Sequence, residues 1–197
     1  METVSASSPD LRRERCGRLA WAPGAQLIRT IRAYQRWRKR GRLFWPMRAA
    51  CVLRWRFWSI VAGAEVPLNA SLGGGLILPH PQGVVIHPNA VVGVNCMVFQ
   101  NVTIGTGGPK PGAPRIGGHV DIGAGAKILG GVVVGDHARI GANAVVIEDV
   151  PAGATAVGVP ARIILPREAA VEPTTLVSRN AMLEPQPQRI QQQAGTS

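Results

Sequence analysis

An aliphatic residue recurs at every sixth position of the segment 86–147, with one interruption, and this period constrains the fold more than any other feature of the chain. The periodic residues are Ile86, Val92, Val98, Ile104, Ile116, Ile122, Ile128, Val134, Ile140 and Val146. A period of six fits neither an α-helix nor a sheet of hairpins. It predicts a parallel β-helix in which three hexads close a triangular coil of about eighteen residues.

The residue four places after each periodic aliphatic residue is small or β-branched, as at Ala90, Cys96 and Val102. Both positions are predicted to point into the coil, and the glycine that often follows the aliphatic residue suits the corners. Inward residues should stack on their equivalents in the next coil, at about 4.8 Å. The expected ladders are Ile86, Ile104, Ile122 and Ile140, and Val98, Ile116 and Val134.

Two segments interrupt the repeat. Between Leu78 and Ile86 the frame slips by two residues, which expels the segment Pro-His-Pro-Gln-Gly at 79–83 from the regular wall. The segment 106–115 is a loop rich in Gly and Pro that contains Lys110. Because functional groups concentrate on loops held by a rigid scaffold, we expect the site at these two interruptions.

Positive charge is concentrated before the repeat. Of the 22 Lys and Arg residues, 14 lie in residues 1–65, together with only four acidic residues. Helices are predicted over residues 25–42 and 47–62, in a segment rich in Trp and Arg. The pair is expected to cap the β-helix, and peripheral contact with an anionic membrane through residues 1–64 is the alternative. Nucleic acid is not an expected partner, because no recognised motif accompanies the charge.

The chain divides into four predicted segments. Residues 1–23 form a flexible basic N-terminus, residues 24–64 the helical segment, residues 65–165 the β-helix, and residues 166–197 a disordered tail rich in Pro and Gln. The three cysteines show no paired or metal-type spacing, and no signal-peptide pattern opens the chain. A cytoplasmic setting is therefore expected, with peripheral association at the inner face of the plasma membrane as the alternative.

Four histidines are candidates for chemistry. An imidazole suits the role of a general base because its ordinary pKa is about 6.5. His80 lies in the frame slip, where the alternative interpretation is an exposed loop residue, and His87 is a secondary candidate. His119 and His137 are expected to stack at one corner above Asn101 as solvated residues. A zinc site is not expected, because no closely spaced histidine pair supplies the converging ligands that zinc needs.

Three motifs carry a family resemblance. They are Leu-Pro-His-Pro-Gln-Gly-Val-Val-Ile at 78–86, Gly-Ala-Gly-Ala-Lys-Ile-Leu-Gly at 123–130 and Gly-Val-Pro-Ala-Arg at 158–162. They resemble the hexapeptide-repeat acyltransferases, and within these the serine acetyltransferases and the acetyltransferases of exopolysaccharide and capsule clusters. The resemblance implies a left-handed parallel β-helix, a homotrimer, and acetyl-CoA bound between neighbouring subunits without a metal.

The resemblance also assigns residues. His80 matches the histidine that serves as base in the serine acetyltransferases. The residues expected to bind acetyl-CoA are Gly105, Gly123, Ala124, Gly125, Ala126, Lys127 and Arg162. Lys127 and Arg162 are the cations available for the phosphates of coenzyme A.

Two positions depart from the serine acetyltransferase pattern. Pro79 stands where that family has an acidic residue, and Ala113 stands where it has a second histidine. A site without these polar groups suits a sugar hydroxyl, and the acceptor expected from the sequence is a saccharide, for example a lipid-linked exopolysaccharide precursor. L-Serine is the alternative acceptor, and a non-catalytic β-helix scaffold is the alternative to an enzyme.

Overall fold

Three parallel sheets surround an aliphatic core in the computed structural model, which describes residues 4–15, 17 and 21–166. The strands are β1 Ser71–Leu72, β2 Val85–Ile86, β3 Val91–Val92, β4 Met97–Val98, β5 Thr103–Gly105, β6 Arg115–Ile116, β7 Asp121–Ile122, β8 Lys127–Leu129, β9 Val133–Val134, β10 Arg139–Ile140, β11 Val145–Val146, β12 Thr155–Val157 and β13 Arg162–Ile164. Sheet A contains β2, β5, β8 and β11, sheet B contains β1, β3, β6 and β9, and sheet C contains β4, β7, β10, β12 and β13.

The chain visits sheets A, B and C in the same order in every coil, and the corners between them form three edges, which we name A–B, B–C and C–A. Strand β13 runs antiparallel to β12 and closes the last coil. The small inward positions are buried, as predicted, and Ala90, Cys96, Val102 and Ala126 are each 0% exposed. Burial raises the pKa of the Cys96 thiol to about 11, so this cysteine is an inert core residue.

The inward ladders follow the prediction up to the loop at 106–114 and then change. Ile86 pairs with Ile104 as expected, but Ile104 pairs next with Ile128 rather than Ile122. The prediction is wrong here because the loop lies within the third coil and lengthens it by one hexad. The observed ladders are Ile86, Ile104, Ile128 and Val146, then Val92, Ile116 and Val134, and finally Val98, Ile122, Ile140 and Ala156.

The same insertion changes the partner of the stacked histidines. His119 and His137 do stack, with 2.8 Å between their Nδ1 atoms. The residue beneath them is Asn95 on the B–C edge, because the His119 amide donates to the carbonyl of Val94 at 2.7 Å. Asn101, the expected partner, lies on the C–A edge instead. Burial lowers the pKa of His119, which favours its neutral form in the stack.

Two α-helices cap the first coil. Helix α1 spans Pro23–Lys39 and helix α2 spans Trp45–Ala62, with a 3-10 turn at Arg42–Phe44 between them. Both helices agree with the predicted ranges to within about three residues. Helix α1 buries Leu27, Ile28 and Ile31, while Trp55 of α2 donates its indole N–H to the carbonyl of Val66 at 2.9 Å. Neither helix in the described part of the chain has the length and apolar composition needed to cross a bilayer.

Residues 4–15, which belong to the segment 1–23 predicted to be flexible, pack along the B–C edge. The side chain of Asn95 is 0% exposed and holds this segment at three points. Its Nδ2 donates to the carbonyls of Ser5 and Ser8 at 2.7 and 2.8 Å, and its Oδ1 accepts the amide of Asp10 at 2.8 Å. The sequence does not predict this packing, because the segment contacts Asn95 through backbone groups, which every residue carries.

A short 3-10 helix, Leu11–Glu14, ends the segment and ties it to α1. The carboxylate of Glu14 accepts the amide of Gly75 at 2.8 Å and a guanidinium N–H of Arg32 at 3.0 Å. The N-terminal segment, α1 and the first coil are therefore joined through one carboxylate. The tail predicted at 166–197 lies, after Pro166, outside the described residues.

We expect Asn95→Gly to release the N-terminal segment. Glycine keeps the left-handed backbone of Asn95, whose φ is 58°, but removes three hydrogen bonds made in a buried site. The free energy of unfolding should fall by about 1–3 kcal/mol. The measurement is urea unfolding combined with limited proteolysis at residues 4–15.

Asn143→Gly is the matched control, because Asn143 has the same backbone conformation, with φ of 56°, but is exposed on the C–A edge. Equal losses of stability in the two variants would show that the Asn95 amide does not anchor the segment.

Candidate active site

His80 is exposed on an enlarged corner of the C–A edge. In the second coil, four residues connect β4 to β5, whereas six residues, 79–84, separate Leu78 from β2 in the first coil. The two additional residues cannot fit the regular wall, so Pro79 and His80 project from it into solvent. The frame slip read from the sequence therefore produces an exposed imidazole on a fixed corner.

Hydrogen bonds on both sides fix this corner. The amide of Gly83 donates to the carbonyl of Gly63 at 2.7 Å, and the carbonyl of Gln82 accepts the amide of Asn101 at 2.8 Å. Gly83 has a φ of +70°, and a Cβ there would meet Oδ1 of Asn101. Only glycine both adopts this positive φ readily and leaves room for the side chain of Asn101. The coil above therefore determines which residue follows the histidine loop.

The predicted coenzyme segment lies on the same edge as His80. The amide of Gly125 donates to the carbonyl of Gln100 at 2.8 Å, and the amide of Asn143 donates to the carbonyl of Ala124 at 2.8 Å. Gly83, Asn101, Gly125 and Asn143 therefore form one column. Gly83 and Gly125 are two coils apart, which corresponds to roughly 10 Å. The wall between them carries small side chains along which an extended ligand could lie.

The two predicted cations also belong to this side of the coil. Lys127 opens β8 in sheet A, and its ammonium donates to the carbonyl of Asn101 at 2.7 Å. The closing turn crosses the C–A edge above it, where the amide of Val145 donates to Gly158 at 3.0 Å and the amide of Ala161 donates to Val145 at 2.8 Å. Arg162 begins β13 directly after this turn and is exposed.

Three of the predicted site residues are placed differently. His87 lies on the A–B edge, where its Nδ1 accepts the amide of Asn89 at 3.2 Å. Gly105 is buried at the start of the A–B loop. The methyl group of Ala126 lies in the core, and its carbonyl already accepts the amide of Thr103 at 3.0 Å. Ala126 therefore supports the wall from inside and offers no surface to a ligand.

The loop at 106–114 is held against the A–B edge. The ammonium of Lys110 forms a salt bridge with Asp149 at 2.8 Å, and the second oxygen of that carboxylate accepts the amide of Val133 at 2.8 Å. The hydrogen bond from Lys110 holds the pKa of Asp149 below its usual range. Ala113 is half-buried and packs against the core. A methyl group thus occupies the position where the resemblance would place a second histidine.

Glu65 is a candidate that the sequence pattern did not reveal. Its amide donates to the carbonyl of Val84 at 2.8 Å, its carbonyl accepts the amide of Ile86 at 2.9 Å, and its side chain is exposed. The carboxylate therefore starts the outward row of sheet A beside the end of the His80 loop. The row continues through Val85, Thr103, Lys127 and Val145. Glu65 lies fifteen positions before His80, so only the folded coil shows that the two segments adjoin.

Metal ligands do not converge in the described ranges, 4–15, 17 and 21–166. No group of three or more His, Cys, Asp or Glu side chains there has the arrangement needed to hold a metal ion. His119 and His137 form a pair on the B–C edge, which is not the edge that carries His80.

Comparison with known proteins shows similarity to hexapeptide-repeat transferases and to serine acetyltransferases. The family model for bacterial transferase hexapeptide (six repeats) matches residues 113–148. A serine acetyltransferase of Synechocystis sp. is 36% identical over 187 residues, which cover 87% of this chain and 73% of the relative. A serine acetyltransferase of Synechococcus elongatus is 41% identical over 116 residues, but the match covers 58% of this chain and only 48% of the relative.

Solved structures of serine acetyltransferases have the same coil. The crystal structure of the enzyme from Vibrio cholerae gives a TM-score of 0.63 with 35% identity, over 76% of this chain and 57% of that one. A serine acetyltransferase in complex with CoA gives a TM-score of 0.61 with 33% identity, over 74% and 59%. The likeness confirms the left-handed parallel β-helix. This chain spans little more than half the length of those two proteins.

Proposed function

The chain belongs to the serine acetyltransferase family of hexapeptide-repeat transferases, and we propose that it transfers an acetyl group from acetyl-CoA to an acceptor hydroxyl. The observation that carries the proposal is the shared C–A edge. It places the exposed His80, the Gly123–Lys127 segment and the closing turn before Arg162 in one column. A base and a surface for an extended thioester are thereby combined on one side of the coil.

In this proposal His80 is the general base. Its imidazole takes the proton of the acceptor hydroxyl while the oxygen attacks the thioester carbonyl. The carbon–sulfur bond then breaks, and the imidazolium returns the proton to the departing thiolate of coenzyme A. The acetyl group passes directly to the acceptor, so no acyl-enzyme and no metal are required.

The residues of the C–A edge fit the co-substrate. Gly123, Ala124 and Gly125 leave the wall without bulky side chains, which allows a pantetheine arm to approach the backbone. Lys127 and Arg162 lie farther from His80 along the coil axis and supply positive charge for the phosphates. The thioester would then lie near His80 and the nucleotide near the closing turn.

A homotrimer would complete the site. In the single chain His80 is exposed, and only one wall of a binding groove, the C–A edge of its own coil, is present. A second coil packed along the C–A edge would supply the opposite wall and exclude water from the reacting groups. The resemblance implies this arrangement.

We favour L-serine as the acceptor, because the relatives that cover most of the chain are serine acetyltransferases. This differs from the saccharide that the sequence alone favours. A saccharide remains the second candidate, since Pro79 supplies no polar group beside His80, where a small zwitterion would use one.

Glu65 is the carboxylate that we propose to orient the imidazole, since Pro79 cannot. It is exposed on sheet A beside the strand that leaves the His80 loop. A carboxylate in this position would stabilise the imidazolium that forms during transfer.

Replacement of His80 by Ala should lower kcat by roughly 10²- to 10⁴-fold, the usual cost of losing a general base. Binding of coenzyme A, measured by calorimetry, should be retained because the Gly123–Lys127 wall is unchanged. His87→Ala is the control, since His87 lies on the A–B edge. Loss in the control alone would transfer the role to His87, and near-normal turnover in both variants would support a non-catalytic scaffold.

Replacement of Glu65 by Gln should lower kcat, because the negative charge that we propose to stabilise the imidazolium during transfer is lost. Glu148→Gln is the control on another corner. An unchanged kcat in Glu65→Gln would remove this residue from the mechanism.

L-Serine should release free thiol from acetyl-CoA rapidly, saturably and in dependence on His80. The measurement compares L-serine with D-serine and with a panel of sugar nucleotides and oligosaccharides, using purified protein. Saturable release with a saccharide and none with L-serine would reverse the assignment of the acceptor. Hydrolysis that is independent of every acceptor would contradict transfer itself.

A further inference from the structure

Helix α2 carries an apolar stripe that the rest of the described chain does not cover. Leu53, Phe57 and Ile60 are 74%, 56% and 75% exposed. They are four and three residues apart, so they lie on one face of the helix. Trp55 and Ala62, on the opposite face, are turned toward the coil. The helix therefore packs with one side and presents large aliphatic and aromatic side chains on the other.

Cationic residues flank this stripe and are frequent throughout the helical segment. The segment from Trp21 to Ala62 contains ten Lys and Arg residues and no Asp or Glu. Arg54 and Arg56 flank the stripe on its two sides and are exposed. The last turn of α1 adds Arg38 and Lys39, also exposed, near the start of α2. The surface is thus apolar along its centre and positive at its margins.

The combination of an apolar stripe and flanking positive charge favours one kind of binding partner over others. A second copy of the same face would bring two dense clusters of positive charge together, which costs free energy. A nucleic acid would use the charge but would leave the apolar stripe exposed to water. An anionic bilayer satisfies both features, since its headgroups neutralise Arg and Lys while Leu, Phe and Ile enter the boundary of the acyl chains.

We propose that the exposed face of α2 docks on the surface of a bilayer containing anionic phospholipids. The face comprises Leu53, Phe57 and Ile60 with the flanking Arg54 and Arg56. The helix lies in the interface and does not cross the bilayer. Exposed aromatic residues nearby, Trp21 and Trp45, suit the headgroup region.

Helix α2 ends beside the candidate active site. The carbonyl of Gly63, its C-cap, accepts the amide of Gly83 at 2.7 Å, three positions after His80. A membrane bound by α2 would therefore lie at the end of the coil that carries the general base. This step rests on the proposed function, and in a trimer three parallel coils would present three such faces together, which multiplies a weak single attachment.

The test is flotation of the full-length protein with vesicles. One set contains about one part phosphatidylglycerol to three parts phosphatidylcholine, the other only phosphatidylcholine, at about 0.15 M salt. Wild type should float with the anionic set and stay behind with the neutral set. The triple variant L53S/F57S/I60S should bind the anionic set at least about tenfold more weakly, because the inserting side chains are removed.

Leu165→Ser is the matched control, since Leu165 is 66% exposed at the other end of the coil and lies outside the face. Its binding should equal that of wild type. Acetyl transfer to a soluble acceptor should be unchanged in the triple variant. Flotation therefore reports docking alone, and thiol release reports activity alone. Equal flotation of wild type and triple variant, or no flotation of wild type, would overturn the proposal. So would sedimentation showing that the triple substitution dissociates an assembly instead.

Discussion

The stacking of inward aliphatic side chains from coil to coil is the constraint on which the structure depends. Ile104, Ile122 and Ile128 are each 0% exposed, and burial of such a side chain contributes about 1.5–3 kcal/mol. Because each strand contributes only two or three residues, no coil can bury its own interior without neighbours. The corners must therefore repeat at the spacing of the strands, and any irregular segment has to leave the wall completely. Both segments that leave it are exposed on edges, where ligands can reach them.

The periodicity was sufficient for predicting the coil but not its register through the whole domain. Inward positions such as Ala90 and Val102 were identified correctly because a period of six determines which residues face inside. The pairing of Ile104 with Ile128 could not be obtained in this way, since the pattern does not show whether a loop replaces a hexad or adds one. A single added hexad shifts the pairing partners of every later ladder. It also explains why His119 stands above Asn95 and not above Asn101.

Contacts made through backbone groups were the least predictable part of the fold. The polar composition of residues 1–23 predicted a flexible segment and gave no sign that Ser5 and Ser8 supply their carbonyls to the buried amide of Asn95. No side-chain pattern encodes such a partner. The candidate site shows the same limit: His80 and the Gly123–Lys127 segment follow from the repeat and the resemblance, whereas the position of Glu65 beside the His80 loop appears only once strands pair.

In the proposed function, the C–A edge would let one coil keep its chemistry while its acceptor changes. The wall that we propose for coenzyme A is made of residues whose conformation the core dictates, such as Gly125, which has a φ of +74° and lies beneath Asn143. Substitution there would disturb the stack, so this half of the site is tied to stability. Pro79 and His80 lie in a loop that the wall has expelled, and Ala113 lies in a second loop. Exposed side chains in the first of these loops can be exchanged without altering any inward ladder, whereas Ala113 packs against the core. In the proposed function, acceptor choice is therefore separable from the fold through the loop that carries Pro79 and His80, whereas the wall proposed for coenzyme A is tied to the fold.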